Sequence, residues 1–348
     1  MDSLSKYPQS CQSQELPWVN PARTAYRSMR GAYRKVRAVK NRLLNLVDPP
    51  VIILLYHRVA DLPADPEMLA VSPENFRLHL TFLKQQFKVV RFEEDWTQLK
   101  KSAVAITFDD GYADNAVEAL PIIEEVGVPV TFFVSTGNIG TDREFWWNRL
   151  EKILLQKGRF PASFRLDDSR FGRTWDSATL EQRHSMYNTL VALMQRVTPD
   201  RRESWLNQLE QWAGPVESGE NFHRSMSHDE IKKLAASPWA SIGAHTVTHS
   251  ALSALTEEQQ RKEIFTSKQE LENMAELEIT TFSYPFGRKQ DYNNISVRLS
   301  QEAGFVKVAS NFPGQVHRWT DPYQLPRHLV RNWDLSKFRE EIESFWTR

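Results

Sequence analysis

The amino-acid sequence predicts an α/β fold in which parallel strands alternate with helices. Continuous apolar runs of strand length, such as residues 51–57 (VIILLYH) and 103–108 (AVAITF), are typical of strands buried on both faces. Segments with a helical spacing of apolar residues separate these runs, as expected for a parallel sheet with crossover helices. The chain has 348 residues, 41% of them hydrophobic and 25% charged, which suits a globular protein with a large core.

The elements are predicted in chain order from these patterns. After the first strand, a helix is expected from Ser72 to Gln86, because Phe76, Leu80 and Leu83 share one of its sides. The strand at 103–108 leads into a helix that ends at Gly127. The later elements are a strand at 128–134, a strand at 239–245, a helix from Thr256 to Glu276, a strand at 279–285, a helix over Ile295–Ala303 and a strand at 305–310.

Residues from about 141 to 225 interrupt the alternation of strands and helices. This stretch begins with a helical pattern (FWWNRLEKILLQ), continues with a candidate hairpin (SFRLDDSRFGRTWD) and ends with two further helical segments. It also holds nearly half of the 11 tryptophans. We therefore predict a helical insertion within one β/α unit of a domain that spans residues 50–348.

The formal net charge of zero conceals a basic N-terminal segment. Residues 1–50 hold nine basic and three acidic residues, so this segment carries +6 and the remainder of the chain −6. The balanced total argues against a nucleic-acid partner. Within residues 1–48, a basic amphipathic helix is predicted over residues 22–47, which either lies on an anionic membrane surface or packs on the domain.

Cysteine and hydropathy patterns exclude several classes of protein. Cys11 is the only cysteine, so neither an intramolecular disulfide nor a cysteine-based zinc cluster can form. Any metal must be held by histidine and carboxylate. The start of the chain lacks the apolar core of a secretory signal. No apolar run approaches the roughly 18–20 residues that span a bilayer, so cytoplasmic placement is expected.

Residues with catalytic potential follow three of the predicted strands. Because ligand sites of parallel β/α folds lie at the carboxyl ends of the strands, we expect these residues to meet at one mouth. They are His57 after the first strand, Asp109, Asp110 and Gly111 after the second, and His245 with His249 after the strand at 239–245.

The histidines and aspartates fit a metal site with an open position. His245 and His249 reach one ion if the segment forms a helical turn, and Asp110 can add an oxygen ligand. Asp109 then remains free to accept a proton, and Gly111 permits the tight turn. The non-catalytic alternative for the two aspartates is a solvated turn or a calcium-binding loop, but the spacing of an EF-hand loop is absent.

Three motifs, ITFDDGYADN (106–115), HTVTH (245–249) and FSYPFG (282–287), resemble the polysaccharide deacetylase family. This is carbohydrate esterase family four, also called the NodB homology domain. The resemblance implies a distorted (β/α) barrel of about seven parallel strands that removes N-acetyl groups from aminosugars. It implies that Asp109 is the general base, and that Asp110, His245 and His249 hold a divalent metal. We expect Zn²⁺, while Co²⁺ or Ni²⁺ would also fit this donor set.

The sequence departs from one family motif, Arg-x-Pro-Tyr, which here reads Ser283-Tyr284-Pro285-Phe286. The backbone N–H of Phe286 can still stabilise an oxyanion, with Tyr284 beside it in the substrate site, because a backbone donor does not depend on the side chain. The family arginine that orients the base is absent. We predict that Arg327 pairs with Asp109 in its place, the alternative being a structural ion pair.

The family's Leu-x-His motif is matched at the start of the domain by Leu55-Tyr56-His57. This placement resembles the circularly permuted branch of the family, and it implies that Leu55 lines the acetate pocket and that His57 is the general acid. His328 is the alternative acid. Tyr112 is expected to shape the pocket. Trp146 and Trp147 belong either to the core or to a stacking platform for sugar rings.

The expected function is therefore metal-dependent removal of N-acetyl groups from aminosugars in a polysaccharide or glycan precursor. The partner is an N-acetylated glycan or aminosugar, with peripheral contact to the inner face of an anionic membrane through residues 22–47. The alternatives are a deformylase or O-acetyl esterase, a non-catalytic carbohydrate-binding relic, and a membrane adaptor.

Overall fold

The computed structural model describes residues 39, 41, 43–169, 171–215 and 223–347. Most of the helix predicted over residues 22–47 therefore lies outside the described residues. Within that range, residues 39, 41 and 43–47 are helical.

A parallel sheet forms the centre of the molecule, and the predicted distorted (β/α) barrel is confirmed. Seven strands follow the order β11-β10-β9-β6-β5-β1-β12, and a short eighth strand, β4, pairs with β5. The strands are β1 (Val51–Tyr56), β2 (Arg58–Val59), β3 (Ala70–Val71), β4 (Lys88–Val90), β5 (Ala103–Phe108), β6 (Val130–Val134), β7 (Ser163–Asp168), β8 (Phe171–Asp176), β9 (Ala240–Ala244), β10 (Thr281–Ser283), β11 (Lys307–Ala309) and β12 (His328–Leu329).

Helices flank this sheet and follow most of its strands. They are α1 (Pro73–Gln86), α2 (Leu120–Val126), α3 (Trp146–Leu155), α4 (Leu180–Met194), α5 (Pro199–Ala213), α6 (His228–Ala236), α7 (Glu257–Ala275), α8 (Asn294–Glu302) and α9 (Leu335–Phe345). A π-helical turn over Asn115–Ala119 leads into α2. Side chains that cap the first backbone N–H groups explain where helices begin, as Thr256 does for α7 through a capping box with Gln259.

The central strands are buried on both faces, which explains their uninterrupted apolar sequences. In β1, Ile52 and Leu54 pack into the core beneath the helices, whereas Val51 and Ile53 belong to a second cluster on the other face of the sheet. Strand geometry requires this separation, since successive side chains point to opposite faces. The apolar runs in the sequence were therefore sound indicators of parallel strands.

Three helices and a hairpin lie between β6 and α6, where the alternation was predicted to break. Here α3, α4, α5 and the antiparallel pair β7–β8 surround a hydrophobic core of their own. Trp146, Trp147, Trp175 and Trp205 are buried in it, which accounts for the concentration of tryptophan in this stretch. This insertion core reaches the barrel through Tyr112, which follows β5.

Within the described part of the chain, no helix has both the length and the apolar character that crossing a bilayer requires.

Candidate active site

A cavity of about 320 Å³ opens at the carboxyl ends of the central strands. His57 follows β1, Asp109 and Asp110 follow β5, and His245 follows β9, so the topology brings all four to this edge. The cavity is lined by His57, Glu67, Leu69, Asp109, Asp110, Trp146, Trp147, Val191, Gln195, His245, His249, Phe286, Arg288, Asn311, Leu329 and Arg331.

The carboxylate of Asp109 is bound by the guanidinium of Arg327. Nη1 of Arg327 donates to Oδ1 at 2.7 Å and Nη2 donates to Oδ2 at 2.6 Å, a bidentate arrangement between two buried side chains. The guanidinium is itself fixed, since Nη2 also donates to Ser283 Oγ at 2.8 Å and Nε donates to the Ser310 carbonyl at 2.7 Å. The contact between Arg327 and Asp109 matches the pairing that the sequence suggested.

The two neighbouring carboxylates have pKa values that diverge. Burial raises the pKa of Asp109, but the charges of Arg327 and His245 and the hydrogen bonds from Arg327 oppose it, and the net effect lowers this pKa to about 2. Burial raises the pKa of Asp110, and the charge of Asp109 acts in the same direction, while His57, His245 and Arg58 oppose the shift without reversing it. Asp109 is therefore held ionised, while Asp110 lacks a comparable cationic partner.

A turn with left-handed backbone presents both aspartates. Asp110 has φ of 77° and Gly111 has φ of 87°, so two successive residues occupy the region that favours glycine. A Cβ at Gly111 would also lie 2.7 Å from Val134 Cγ1 on the adjoining strand. Both the conformation and the lack of space require glycine at this position.

A loop, not the helical turn considered from sequence, brings His249 back to His245. Thr246 and His249 both have positive φ, at 66° and 49°, and the His249 N–H donates to Thr246 Oγ1 at 3.1 Å. The carboxylate of Glu263 on α7 closes the loop by accepting from the backbone N–H groups of Val247 and Thr248 at 2.9 and 2.8 Å. The expected helical turn is thus replaced by a tight loop that a buried glutamate stabilises.

The donor atoms of Asp110, His245 and His249 fit a metal ion. One ligand atom from each lies within 4.8 Å of the others. His245 Nδ1 is 2.7 Å from the Ser283 carbonyl, which fixes the ring, and its buried Nε2 has no hydrogen-bond partner in the part of the chain that the structure describes. Burial lowers the pKa of His245 to about 4 and that of His249 to about 3, so both rings are neutral at pH 7, as metal ligands must be.

His57 and His328, the two candidate acids, lie in different surroundings. His57 lines the cavity, and its buried Nδ1 has no hydrogen-bond partner among the described residues. Burial lowers its pKa, while the carboxylates of Asp110 and Asp109 act in the opposite direction. His328 stacks on Phe345 of α9, with ring centroids 4.0 Å apart, and its Nε2 is 2.9 Å from the Gly314 carbonyl. It does not line the cavity.

Phe286 forms part of the wall beside the histidines. Its ring lies 4.7 Å from that of His249 and 6.5 Å from that of Trp146. Its φ of 60° is left-handed, and Gly287 follows with φ of 63°. Within the described chain its backbone N–H donates no hydrogen bond, which leaves it available to a ligand.

Three predicted substrate residues do not line the cavity. Leu55 is buried within β1 and pairs in register with Leu329, which does reach the wall. Tyr284 is buried against Tyr292, with ring centroids 4.1 Å apart. Tyr112 accepts a hydrogen bond from Trp147 Nε1 at 2.7 Å and donates to Asn148 Oδ1 at 2.7 Å. It therefore supports Trp147, which lines the cavity, without lining the cavity itself.

Several wall residues were not found from sequence. Leu69, Asn311 and Leu329 come from loops and a short strand with no recognisable motif, and Val191 and Gln195 come from α4 and its C-terminal cap. Trp146 and Trp147 belong to the insertion core and also line the cavity, so the core interpretation is confirmed and the stacking platform stays a prediction.

Comparison with known proteins assigns the chain to a family. The family model described as polysaccharide deacetylase matches residues 97–191 and 203–308, which together make up more than half of the chain. The chain belongs to the polysaccharide deacetylase family. The resemblance seen in its motifs is therefore confirmed, and the protein is a hydrolase of the deacetylase type. The match also runs into the insertion, and the circular permutation remains a prediction.

Relatives of known sequence or structure agree with this assignment. The chain is 23% identical over 286 residues to YxkH of Bacillus subtilis, whose name places it among polysaccharide deacetylases; the match covers 80% of this chain and 70% of YxkH. The fold is similar to that of the polysaccharide deacetylase BC0361 from Bacillus cereus (TM-score 0.53, 17% identity, 85% and 69% coverage). It is also similar to that of IcaB from Ammonifex degensii (TM-score 0.54, 18% identity, 86% and 97% coverage).

Proposed function

We propose that this polysaccharide deacetylase removes the N-acetyl group of an aminosugar within a glycan or glycan precursor, with a divalent metal held by Asp110, His245 and His249. The observation that carries the proposal is the pairing of a buried, ionised carboxylate, Asp109, with a three-donor metal set on its immediate neighbours. The cavity volume of about 320 Å³ falls within the range of small-ligand sites.

The metal that these three residues would hold, Zn²⁺ or in its place Co²⁺ or Ni²⁺, would polarise the acetyl carbonyl and increase the acidity of the attacking water. Asp109 accepts a proton from that water as it adds to the carbonyl carbon. Arg327 keeps Asp109 ionised and oriented through its two hydrogen bonds of 2.7 and 2.6 Å. Because Arg327 acts through Asp109, it is a positioning residue.

The remaining steps use two other groups of the cavity wall, Phe286 and His57. The free N–H of Phe286 donates a hydrogen bond to the developing oxyanion. This hydrogen bond strengthens in the transition state, because negative charge collects on that oxygen. His57 then gives a proton to the departing amine nitrogen, and the carbon–nitrogen bond breaks. The products are acetate and a free aminosugar. The uncommitted Nδ1 of His57 supports this role, since no acceptor among the described residues holds that nitrogen in another use.

The proposal is tested by Asp109→Asn, measured as acetate release from N-acetylhexosamine substrates together with metal content. We expect retained metal and a loss of about a thousand-fold in turnover, within the usual contribution of a general base. The matched control is Asp114→Asn, at a partly buried aspartate bound to an arginine, Arg58 at 2.9 Å, and this variant should keep its turnover. Undiminished acetate release by folded, metal-loaded Asp109→Asn would exclude the proposed base.

The substrate screen should cover N-acetylhexosamine oligomers, lipid-linked sugars and nucleotide-linked sugars. Product analysis separates the alternatives, because a deformylase releases formate and an O-acetyl esterase leaves a hydroxyl in place of an amine. If no product formed, the non-catalytic carbohydrate-binding relic would be favoured. The complete set of base and metal donors argues against that alternative. A role in exopolysaccharide synthesis and a cytoplasmic location remain predictions.

A further inference from the structure

The helical segment that precedes β1 exposes a continuous apolar face. Val39, Leu43, Leu46 and Val47 are 58%, 61%, 80% and 78% exposed. Their spacing of i, i+4, i+7 and i+8 places them on one side of a helix. Single exposed apolar residues are common on proteins, but four that share one helix face form a patch that needs a partner.

The opposite face of the same segment is attached to the body of the protein. The side-chain amides of Asn41 and Asn45 donate to backbone oxygens just after α9, at 3.4 and 3.1 Å. The buried carboxylate of Asp48 accepts from Arg318 Nε at 2.6 Å and from the Arg318 backbone N–H at 3.0 Å. At 100° per residue these three positions lie across the helix from the apolar face. The segment is thus docked through polar side chains, with its apolar side turned outward.

An exposed tryptophan borders this segment. Trp319 is 63% exposed and stacks on His317, with ring centroids 4.8 Å apart. Nδ1 of His317 is in turn 3.3 Å from the carboxylate of Asp48, so the loop that carries Trp319 meets the end of the helical segment. Tryptophan is enriched where proteins meet the interfacial region of a bilayer.

The charge of the surrounding sequence favours a lipid surface over a second copy of the chain. Residues 30–42 hold six basic residues and no acidic one. Basic residues beside an apolar helix face are attracted by anionic headgroups while the apolar side chains enter the interface. Two copies that met through this face would bring two clusters of like charge together, which opposes association.

We propose that Val39, Leu43, Leu46, Val47 and Trp319 form a docking face for an anionic membrane surface. The apolar side chains enter the headgroup region, and the basic residues of the adjoining sequence contact lipid phosphates. The proposal stands apart from the reaction proposed above, because none of these residues lines the catalytic cavity.

Co-sedimentation of the full chain with vesicles, in the absence of any sugar, tests the docking face. The vesicles are phosphatidylcholine alone or an equimolar mixture with phosphatidylglycerol. We expect binding to the mixed vesicles, weaker binding at high salt, and a loss of about ten-fold in the triple variant Leu43→Gln, Leu46→Gln, Val47→Gln. The matched control substitutes Leu180, Leu277 and Val306 by Gln, which are also exposed but lie elsewhere, and it should bind like the wild type.

Two outcomes would overturn the proposal: equal vesicle binding by the triple variant and the wild type, or no binding of the wild type to either vesicle. A triple variant that changes only the oligomeric state in analytical ultracentrifugation would assign the face to a second copy. Because vesicle binding would then be the same in the triple variant and the wild type, that outcome also overturns the proposal. Thermal unfolding of each variant verifies folding, and Trp319→Ala gives an independent variant in which a smaller loss of binding is expected.

Discussion

At the scale of single residues, the most informative pair is Asp109 and Arg327. A buried carboxylate needs a cation, and the usual family position for that cation holds Ser283 instead. In the fold, Ser283 on β10 and Arg327 just before β12 both reach Asp109, and Ser283 Oγ accepts a hydrogen bond from Arg327. In this chain the guanidinium that binds Asp109 therefore comes from the segment just before β12 and not from position 283.

The first prediction concerns the loss of that guanidinium. Arg327→Met should lower kcat/KM by about a hundred-fold, and the acidic limb of its pH profile should move to higher pH. The reason is that the pKa of Asp109 rises once Arg327 is removed, so the base is protonated over more of the acidic range. Arg327→Lys should recover part of the activity, because it restores charge but not the bidentate geometry.

A loss of stability alone cannot shift the pH profile of Arg327→Met, and a control variant separates the loss of stability from the effect on Asp109. Breaking a buried ion pair costs about 3–5 kcal/mol of unfolding free energy, so Arg327→Met should also be less stable. Arg58→Met disrupts an ion pair between a buried arginine and the partly buried Asp114, and it should also lose stability but without a shift in the pH profile. A profile that is unchanged in Arg327→Met would show that Arg327 is only structural.

At the scale of elements, the site depends on how the loop after β9 is held. His249 lies in the left-handed region, which is unfavourable for histidine, and Glu263 from α7 binds the preceding backbone N–H groups. The carboxylate also accepts from Thr248 Oγ1 at 2.6 Å. A helix on the outside of the barrel thus fixes the position of one metal donor.

The second prediction follows from this support. Glu263→Ala should weaken metal affinity by about 10–100-fold, since supporting residues of metal ligands commonly have effects of this size. The measurement is a competition titration against a chelator. Glu258→Ala, an exposed glutamate on the same helix, is the control and should leave affinity unchanged. An unaltered affinity in Glu263→Ala would mean that the loop keeps its conformation without α7.

The third prediction concerns the packing of α1 against α9. His79 of α1 is buried, stacks on Phe338 of α9 at 3.8 Å, and its Nε2 is 2.8 Å from the Trp333 carbonyl. Burial lowers its pKa from 6.5 to about 4, although the Trp333 carbonyl opposes the shift. Between pH 6.5 and 4 the unfolded chain takes up a proton that the folded chain does not, so stability falls by up to about 3 kcal/mol.

Urea unfolding across that pH range measures the contribution of His79. His79→Gln should be less stable near neutral pH but lose less stability on acidification than the wild type, because its side chain does not titrate. His184→Gln, at an exposed histidine of α4, is the matched control. If the stability of His79→Gln fell with decreasing pH as steeply as that of the wild type, the assignment of this pH dependence to His79 would be contradicted.

Sequence patterns predicted the long elements and failed for the short ones, for physical reasons. The strands β1, β5 and β6 are buried on both faces, so their apolar runs are unmistakable. The strands β2, β3 and β12 have two residues each, too few for any periodicity. The helix α9 was also missed, although Asp334 caps it and Phe338, Ile342 and Phe345 recur on its buried face.

The candidate site shows the same division. Motifs directly after long strands revealed Asp109, Asp110, His245 and His249, because strand ends determine where those residues lie. Residues such as Gln195 reach the cavity only through tertiary packing of the insertion, which leaves no local pattern. Tyr112 was placed at the cavity wall by its proximity to the aspartates, but the insertion core takes up its side chain.

At the scale of the whole molecule, the insertion and the barrel together enclose the cavity. The insertion supplies Trp146, Trp147, Val191 and Gln195, and the barrel supplies the metal donors and the base. The two parts are linked away from the cavity by Arg202, whose Nη2 donates to the Thr248 carbonyl at 3.2 Å and to Ser250 Oγ at 2.9 Å. We therefore expect the insertion to influence which substrates reach the candidate metal donors and the proposed base in the barrel.

The last prediction concerns a hydrogen bond that crosses the mouth of the cavity. Arg288 of the barrel donates through Nη2 to Gln195 Oε1 of the insertion at 2.9 Å. Gln195→Ala should raise KM by about five-fold with little change in kcat, because the bridge closes the wall around bound substrate without touching the reacting atoms. Gln195→Glu should keep KM near the wild-type value, since a carboxylate pairs with Arg288. Gln211→Ala, on the exposed side of α5, serves as the control. If Gln195→Ala lowered kcat with KM unchanged, the contact between Gln195 and Arg288 would act on the catalytic step. The assignment of substrate binding to the insertion and of catalysis to the barrel would then be wrong.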